Sequence, residues 1–224
     1  MIKLSDYQLF LFDLDGLLVN TEEIHFLAYK KMCKNRGVNL NWNFDDFCRV
    51  AHYSSEKIRQ KICMEHPEIL AQVSAWEVLY AEKKQAVVDL FKAGNVKLMP
   101  GVESFLLRLQ KADITRCVVT NSSLEMINSL RYTIPLLQTI PHWVTREDYV
   151  HPKPNPECYL KAIEMFAKPT DRVIGFEDTP RGITALLETR ATSVMICQEN
   201  YPEIPWLISK GILRFSSFDE VFYG

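Results

Sequence analysis

The sequence predicts an α/β protein: a parallel sheet with helices on both faces, interrupted after its first strand by a wholly helical segment. Three observations carry that prediction. An apolar run, LFLF (Leu9–Phe12), ends on two aspartates, Asp13 and Asp15. Residues 22–95 show little strand signal and place apolar side chains at three-to-four spacing between lysines and glutamates. From Pro100 and Gly101 onward, helix and strand patterns alternate to the end, the signature of a parallel sheet covered on both faces.

The elements follow in order. Leu9–Phe12 is the first strand. In the helical segment, TEEIHFLAYKKMCKNRG (residues 21–37), SSEKIRQKICMEH (54–66) and AWEVLYAEKKQAVVDLF (75–91) each read as a helix. Thr21 and Ser54 suit N-caps, and Gly37 and Gly94 suit stops. Beyond it, helices are expected over residues 102–111, 123–130, 156–166 and 181–189. Strands are expected over 115–120 (TRCVVT), 142–145 (HWVT), 172–178 (RVIGFED) and 193–197 (SVMIC). A short strand, ILRF, and a capped terminal helix, SSFDEVF, complete the chain. The expected architecture is a Rossmann-like core, residues 1–19 with 97–224, carrying an α-helical cap, residues 20–96.

Composition narrows the partners. The 224 residues are 47% hydrophobic and 24% charged, which suits a packed globular protein rather than a disordered one. A net charge of -2 leaves no bulk positive field to recruit nucleic acid or an anionic membrane. No apolar run approaches the length of a membrane span and no signal peptide is visible. Six scattered cysteines without a C-x-x-C pair read as reduced thiols, so a cytoplasmic protein is expected, with monomer the default.

In open α/β sheets, ligands gather at the carboxyl ends of the strands. Just past those ends lie Asp13 and Asp15, then Thr120, Asn121 and Ser122, then Glu177 and Asp178. Lys153 sits in a proline-braced loop, HPKPNPE, that opens a helix. Carboxylates converging on one edge are intelligible around a hard cation such as Mg²⁺, which takes oxygen ligands and shares its shell with phosphate. A carboxylate can attack phosphorus to give an aspartyl-phosphate. It must first approach an anion, and two unit charges ~3 Å apart repel by about 5 kcal/mol at an effective dielectric of 20. Mg²⁺ and Lys153 would cancel that repulsion, and Thr120 with the N–H groups of the following helix start would hold phosphate oxygens. Asp15 could protonate the leaving oxygen and later deprotonate water. Taken alone, Asp13 and Asp15 also suit a turn and helix cap.

These residues resemble the haloacid dehalogenase superfamily, in the branch with an α-helical cap after the first strand. The matching runs are DLDGLLVNTE from Asp13, VVTNSS from Val118, KPNPE from Lys153 and FEDTPRG from Phe176, in the family's order. The resemblance implies Asp13 as nucleophile and Asp15 as acid/base with its backbone carbonyl on Mg²⁺. It implies Thr120, Asn121 and Lys153 as phosphate-binding groups, and Glu177 and Asp178 as the acidic pair, Asp178 being preferred for the metal shell. It also gives His25 and Ser54 as substrate-facing cap residues, with Arg49, His52, Tyr53, Ser55 and Lys57 in the specificity loop. Lys83 and Lys84 lie on the last cap helix, where the functional reading turns them to the cleft and the bland one, expected of most of these lysines, turns them to solvent.

Asp15 points to phosphate esters, because the dehalogenases of this superfamily lack the second aspartate. The implied activity is Mg²⁺-dependent hydrolysis of a small phosphorylated metabolite, a sugar phosphate or nucleoside monophosphate. The alternative is a β-phosphoglucomutase-type isomerase. Such mutases tend to carry an arginine where this chain has Ser54 and Ser55, and a polar residue near the position of Leu124. A non-catalytic phospho-binding or signalling protein is the alternative of another class. ALLETRATS lacks the glycine found in many relatives after the acidic pair, and His151 and Pro152 replace the small residue usual before the lysine.

Overall fold

The computed structural model describes residues 2–221 except 52–54, 74 and 199. The chain divides into two compact units, Met1–Asn20 with Lys97–Gly224, and Thr21–Val96.

In the first unit, the strands are β1 (Leu9–Phe12), β2 (Thr115–Val119), β3 (His142–Val144), β4 (Val173–Glu177), β5 (Thr192–Ile196) and β6 (Leu213–Phe215). Among the described residues they form one parallel six-stranded sheet in the order β3-β2-β1-β4-β5-β6. The fold is therefore the Rossmann-like α/β architecture expected. β1 lies between β2 and β4, with Phe12 level with Val118 on one side and Phe176 on the other.

Strand parity divides β1 between two cores. Leu9 and Leu11 join Val119, Tyr159, Ala162 and Leu186 on the face covered by α7 (Glu157–Phe166) and α8 (Pro180–Leu187). Phe10 and Phe12 point the other way. There Phe12 stacks on Phe176 at 5.3 Å, and both meet Phe105 of α5 (Val102–Lys111) and Phe218 of α10 (Phe218–Val221). The sheet is continued by α6 (Leu124–Thr133) after β2 and by α9 (Ile204–Ser209) after β5. The sequence pattern did not signal α9: it is six residues long, too short to establish a helical period.

The second unit contains α1 (Thr21–Asn35), α2 (Phe44–Ala51), α3 (Ser55–Glu65) and α4 (Trp76–Lys92). Its core is Phe26, Tyr29, Met32, Phe47, Ile62 and Leu79, and the guanidinium of Arg36, the residue after α1, pairs with Glu82 of α4. Thr21, read as a cap, is the first residue of α1 and is fully buried. Ser54, the other expected cap, lies outside the described residues together with His52 and Tyr53.

Because Phe12 closes the aromatic layer directly beneath Asp13, Phe12→Ala is expected to cost about 3–5 kcal/mol of stability. Denaturant titration of the purified variant measures it, and a loss under about 1 kcal/mol would contradict the assigned packing.

Candidate active site

The parity that buries Leu9 and Leu11 carries one residue further. Asp13 donates its N–H to the Phe176 carbonyl at 3.0 Å, so it still belongs to the ladder when its side chain leaves the sheet. Glu177, the last residue of β4, occupies the adjacent strand on the α7 and α8 side, where Gly175 meets Leu186. Both carboxylates are buried, and an ammonium lies between them. Lys153 Nζ donates to Asp13 Oδ1 at 2.5 Å, to the Val119 carbonyl at 2.7 Å and to Glu177 Oε1 at 2.7 Å. Those three bonds use all three donors of the ammonium.

Getting Lys153 there requires a braced loop. The Glu157 carboxylate accepts the Val150 and His151 N–H groups, each at 2.8 Å, and Asn155 Oδ1 accepts the Glu157 N–H at 2.9 Å. The two backbone donors pull the Glu157 carboxyl down to about 2. His151, the unusual residue before the lysine, joins the brace through Nδ1 at 2.7 Å from Glu157.

Asp15 belongs to a different cluster. Gly16 follows it with φ +82°, a left-handed turn that lets the chain double back so that the Gly16 N–H meets the Val19 carbonyl at 2.9 Å. Asp15 Oδ2 accepts from Thr120 Oγ1 at 3.2 Å and from the Ser122 hydroxyl at 2.5 Å. Thr120 Oγ1 in turn accepts the Ser122 N–H at 3.0 Å. Asn121 points elsewhere: its Oδ1 accepts from the Tyr149 hydroxyl, which also reaches the Thr120 carbonyl at 2.9 Å.

Asp13, Glu177 and Asp178 each offer an oxygen within 4.8 Å of the others, and all three are buried. Burial pushes the Asp13 carboxyl up to about 7; Lys153 opposes the rise, while Glu177 and Asp15 add to it. Burial also works against the Lys153 ammonium, but Asp13 and Glu177 outweigh it and hold that pKa above the ordinary lysine value. The donor set fits a hard divalent cation: carboxylate oxygens only, with more negative charge than one lysine balances.

Tyr159, beside this cluster, went unnoticed in the sequence. Tyr159 donates its hydroxyl to Glu177 Oε1, and its ring lies 4.7 Å from Lys153 Nζ. Its position in α7, on the apolar stripe, gave no sign of a polar task. Gly182, seen in the sequence only as the end of the FEDTPRG run, has a spatial task as well. A Cβ there would sit 2.0 Å from the Glu177 carboxyl carbon, so the glycine clears the space in which Glu177 lies.

In the helical unit, Lys83 is buried instead of facing solvent, its ammonium lying over the Tyr29 and Tyr80 rings at 5.0 and 5.7 Å. His25 Nδ1 is 2.9 Å from Lys83 Nζ. Burial, and then the Lys83 charge, hold the imidazole well below its usual pKa, so it is neutral and can accept from the ammonium. His25 is thus in the other compact unit from Asp13, and Ser54 lies outside the described residues.

Gly182→Ala should force Glu177 out of its place and destabilise the protein by about 1–3 kcal/mol, the usual cost of overpacking. Denaturant midpoints check this, and an unchanged midpoint would show that Glu177 is not confined there.

Comparison with known proteins bears on the family and the fold. The family model of haloacid dehalogenase-like hydrolases matches residues 10–196. A 2-deoxyglucose-6-phosphate phosphatase 2 of Saccharomyces cerevisiae is 30% identical over 191 residues, 78% of this chain and 74% of the relative. A (DL)-glycerol-3-phosphatase 2 of Arabidopsis thaliana is 28% identical over 193 residues, 83% of this chain and 78% of the relative. The crystal structure of CbbY from Rhodobacter sphaeroides in complex with phosphate superposes with a TM-score of 0.73 at 20% identity, covering 96% of each chain, a likeness of fold. With its family model spanning most of the chain, this protein belongs to the haloacid dehalogenase-like hydrolases.

Proposed function

We propose that the chain is a Mg²⁺-dependent phosphomonoesterase acting on a small phosphorylated metabolite through an aspartyl-phosphate on Asp13. The observation that carries this reading is the pairing of a buried strand-tip carboxylate with a lysine ammonium at 2.5 Å, beside a second aspartate on its own hydroxyl cluster. The curated relatives are named as phosphatases of glycerol 3-phosphate and 2-deoxyglucose 6-phosphate, which supports the reaction class and leaves the organic part of the substrate open.

The chemistry divides among this chain's own groups. An Asp13 oxygen attacks phosphorus, and the bond from phosphorus to the ester oxygen breaks. Asp15 gives its proton to that leaving oxygen. Asp15 then takes a proton from water, which attacks phosphorus and frees Asp13 and inorganic phosphate. Lys153 neutralises charge on the phosphoryl oxygens, and Thr120 and the backbone of the Asn121 turn hold them. Asp13, Asp178, Glu177 and the Asp15 carbonyl would hold Mg²⁺, which when bound supplies the charge that lets a phosphate dianion approach a carboxylate. In the helical unit, the neutral His25 and the Lys83 ammonium form an electropositive pair suited to the polar part of a phosphorylated substrate; Ser54 keeps its proposed substrate role from the sequence alone.

Phosphate release from a panel of sugar phosphates, nucleoside monophosphates and a phenyl phosphate tests the reading. Release is expected with Mg²⁺ and is expected to stop on adding a chelator. Conversion of glucose 1-phosphate to glucose 6-phosphate without phosphate release would favour the mutase instead. Asp13→Asn should abolish turnover with its melting temperature retained; substantial residual turnover would remove Asp13 as nucleophile. Metal binding has a pH signature. Asp13 must lose its proton to serve as a ligand, so Mg²⁺ affinity should rise as pH passes upward through about 7, measured by calorimetry. Affinity that falls or stays flat over pH 6–8 would place the metal away from Asp13.

A further inference from the structure

We infer that Tyr159 is a positioning residue: its hydroxyl fixes Glu177, and through Glu177 the place of the Lys153 ammonium. The inference rests on the phosphatase reading for its kinetic consequence and on geometry alone for its structural one.

The three acceptors around Lys153 Nζ are unequal. The Val119 carbonyl belongs to β2, where Val119 is level with Val144 of β3. Asp13 Oδ1 is a reacting group, whose bonding must change as phosphorus is attacked and released. Glu177 Oε1 is the one side-chain acceptor that stays the same throughout, provided its own rotamer is held. Two features hold it. Gly182 leaves open the space that the carboxyl group occupies, and Tyr159 donates its hydroxyl to the same Oε1 that receives Lys153.

Tyr159 is built for this task. It is the third residue of α7 and fully buried in the core shared with Leu9, Leu11 and Leu186. A phenylalanine would satisfy that apolar surround as well, and a buried hydroxyl costs stability unless it is bonded. The hydroxyl therefore has one purpose that packing does not explain. The ring adds a second restraint, placing its face 4.7 Å from Nζ, within cation–π range. Without the hydroxyl, Glu177 is held less firmly, and Lys153 has a less definite place when its bond to Asp13 changes.

The test is Tyr159→Phe, which keeps the ring and removes the donor, with Ile163→Val as a control that thins the same core without touching the network. Two readouts are combined: steady-state kinetics with Mg²⁺, and the side-chain ammonium resonance of Lys153 followed by NMR. Tyr159→Phe should lower kcat by about 10–100-fold with KM little changed, the range seen when a group that orients a site residue is removed. It should also shift or broaden the Lys153 ammonium resonance, while Ile163→Val alters neither. An unchanged resonance and wild-type kcat in Tyr159→Phe would overturn the inference, as would equal losses in the Ile163→Val control. A wild-type protein that releases phosphate from no ester would contradict the proposed function instead, and the ammonium resonance alone would then decide the role of Tyr159.

Discussion

A buried ammonium organises the carboxyl-terminal edge of this sheet. Taking charges out of water costs several kcal/mol per ion, and only good geometry with full hydrogen bonding offsets it. Lys153 meets that condition: each of its three donors has an acceptor within 2.7 Å. The dependence runs in both directions. Asp13 and Glu177 can lie buried side by side because the lysine separates their charges. The lysine can lie there because its loop is braced by Glu157 and its acceptors are fixed by strand ends. Removing one partner of such a cluster strands the others, a loss of about 3–5 kcal/mol for a buried pair.

The fold makes the cluster possible before any catalytic side chain is placed. β1 is central, with β2 and β4 hydrogen-bonded to either side, so three strand tips adjoin at one edge. The chain reverses its direction of strand addition at this point, which opens the crevice where ligands of such sheets bind. Parity then sorts the side chains. Asp13 and Glu177 emerge on the face of α7 and α8, with Tyr159 below them, while the phenylalanine layer of Phe12, Phe105, Phe176 and Phe218 packs the opposite face.

Much of this was legible in the sequence, for identifiable reasons. The strands are short, apolar and bounded by turn residues, so β1, β2 and β4 were found nearly to the residue. Asp13, Asp15, Glu177 and Asp178 were visible because carboxylates at the end of apolar runs are costly without a purpose. What stayed hidden depends on three-dimensional closeness. Tyr159 lies on an apolar helical stripe, where a tyrosine reads as core until its hydroxyl is traced to Glu177. Gly182 reads as part of a motif until the missing Cβ is seen to be the room that Glu177 needs. Lys83 read as a surface lysine because a charged residue at the edge of an apolar stripe usually is one. Only packing between α1 and α4 shows its ammonium meeting His25.

The central claim is that Asp13 carries the phosphoryl group. Reduction with borohydride during turnover tests it most directly, because an acyl phosphate is reduced to an alcohol while a free carboxylate is not. Mass analysis of the peptide containing Asp13 should then show homoserine at that position, dependent on substrate and absent without it. Steady phosphate release with Asp13 unmodified, or with another residue reduced in its place, would contradict the account.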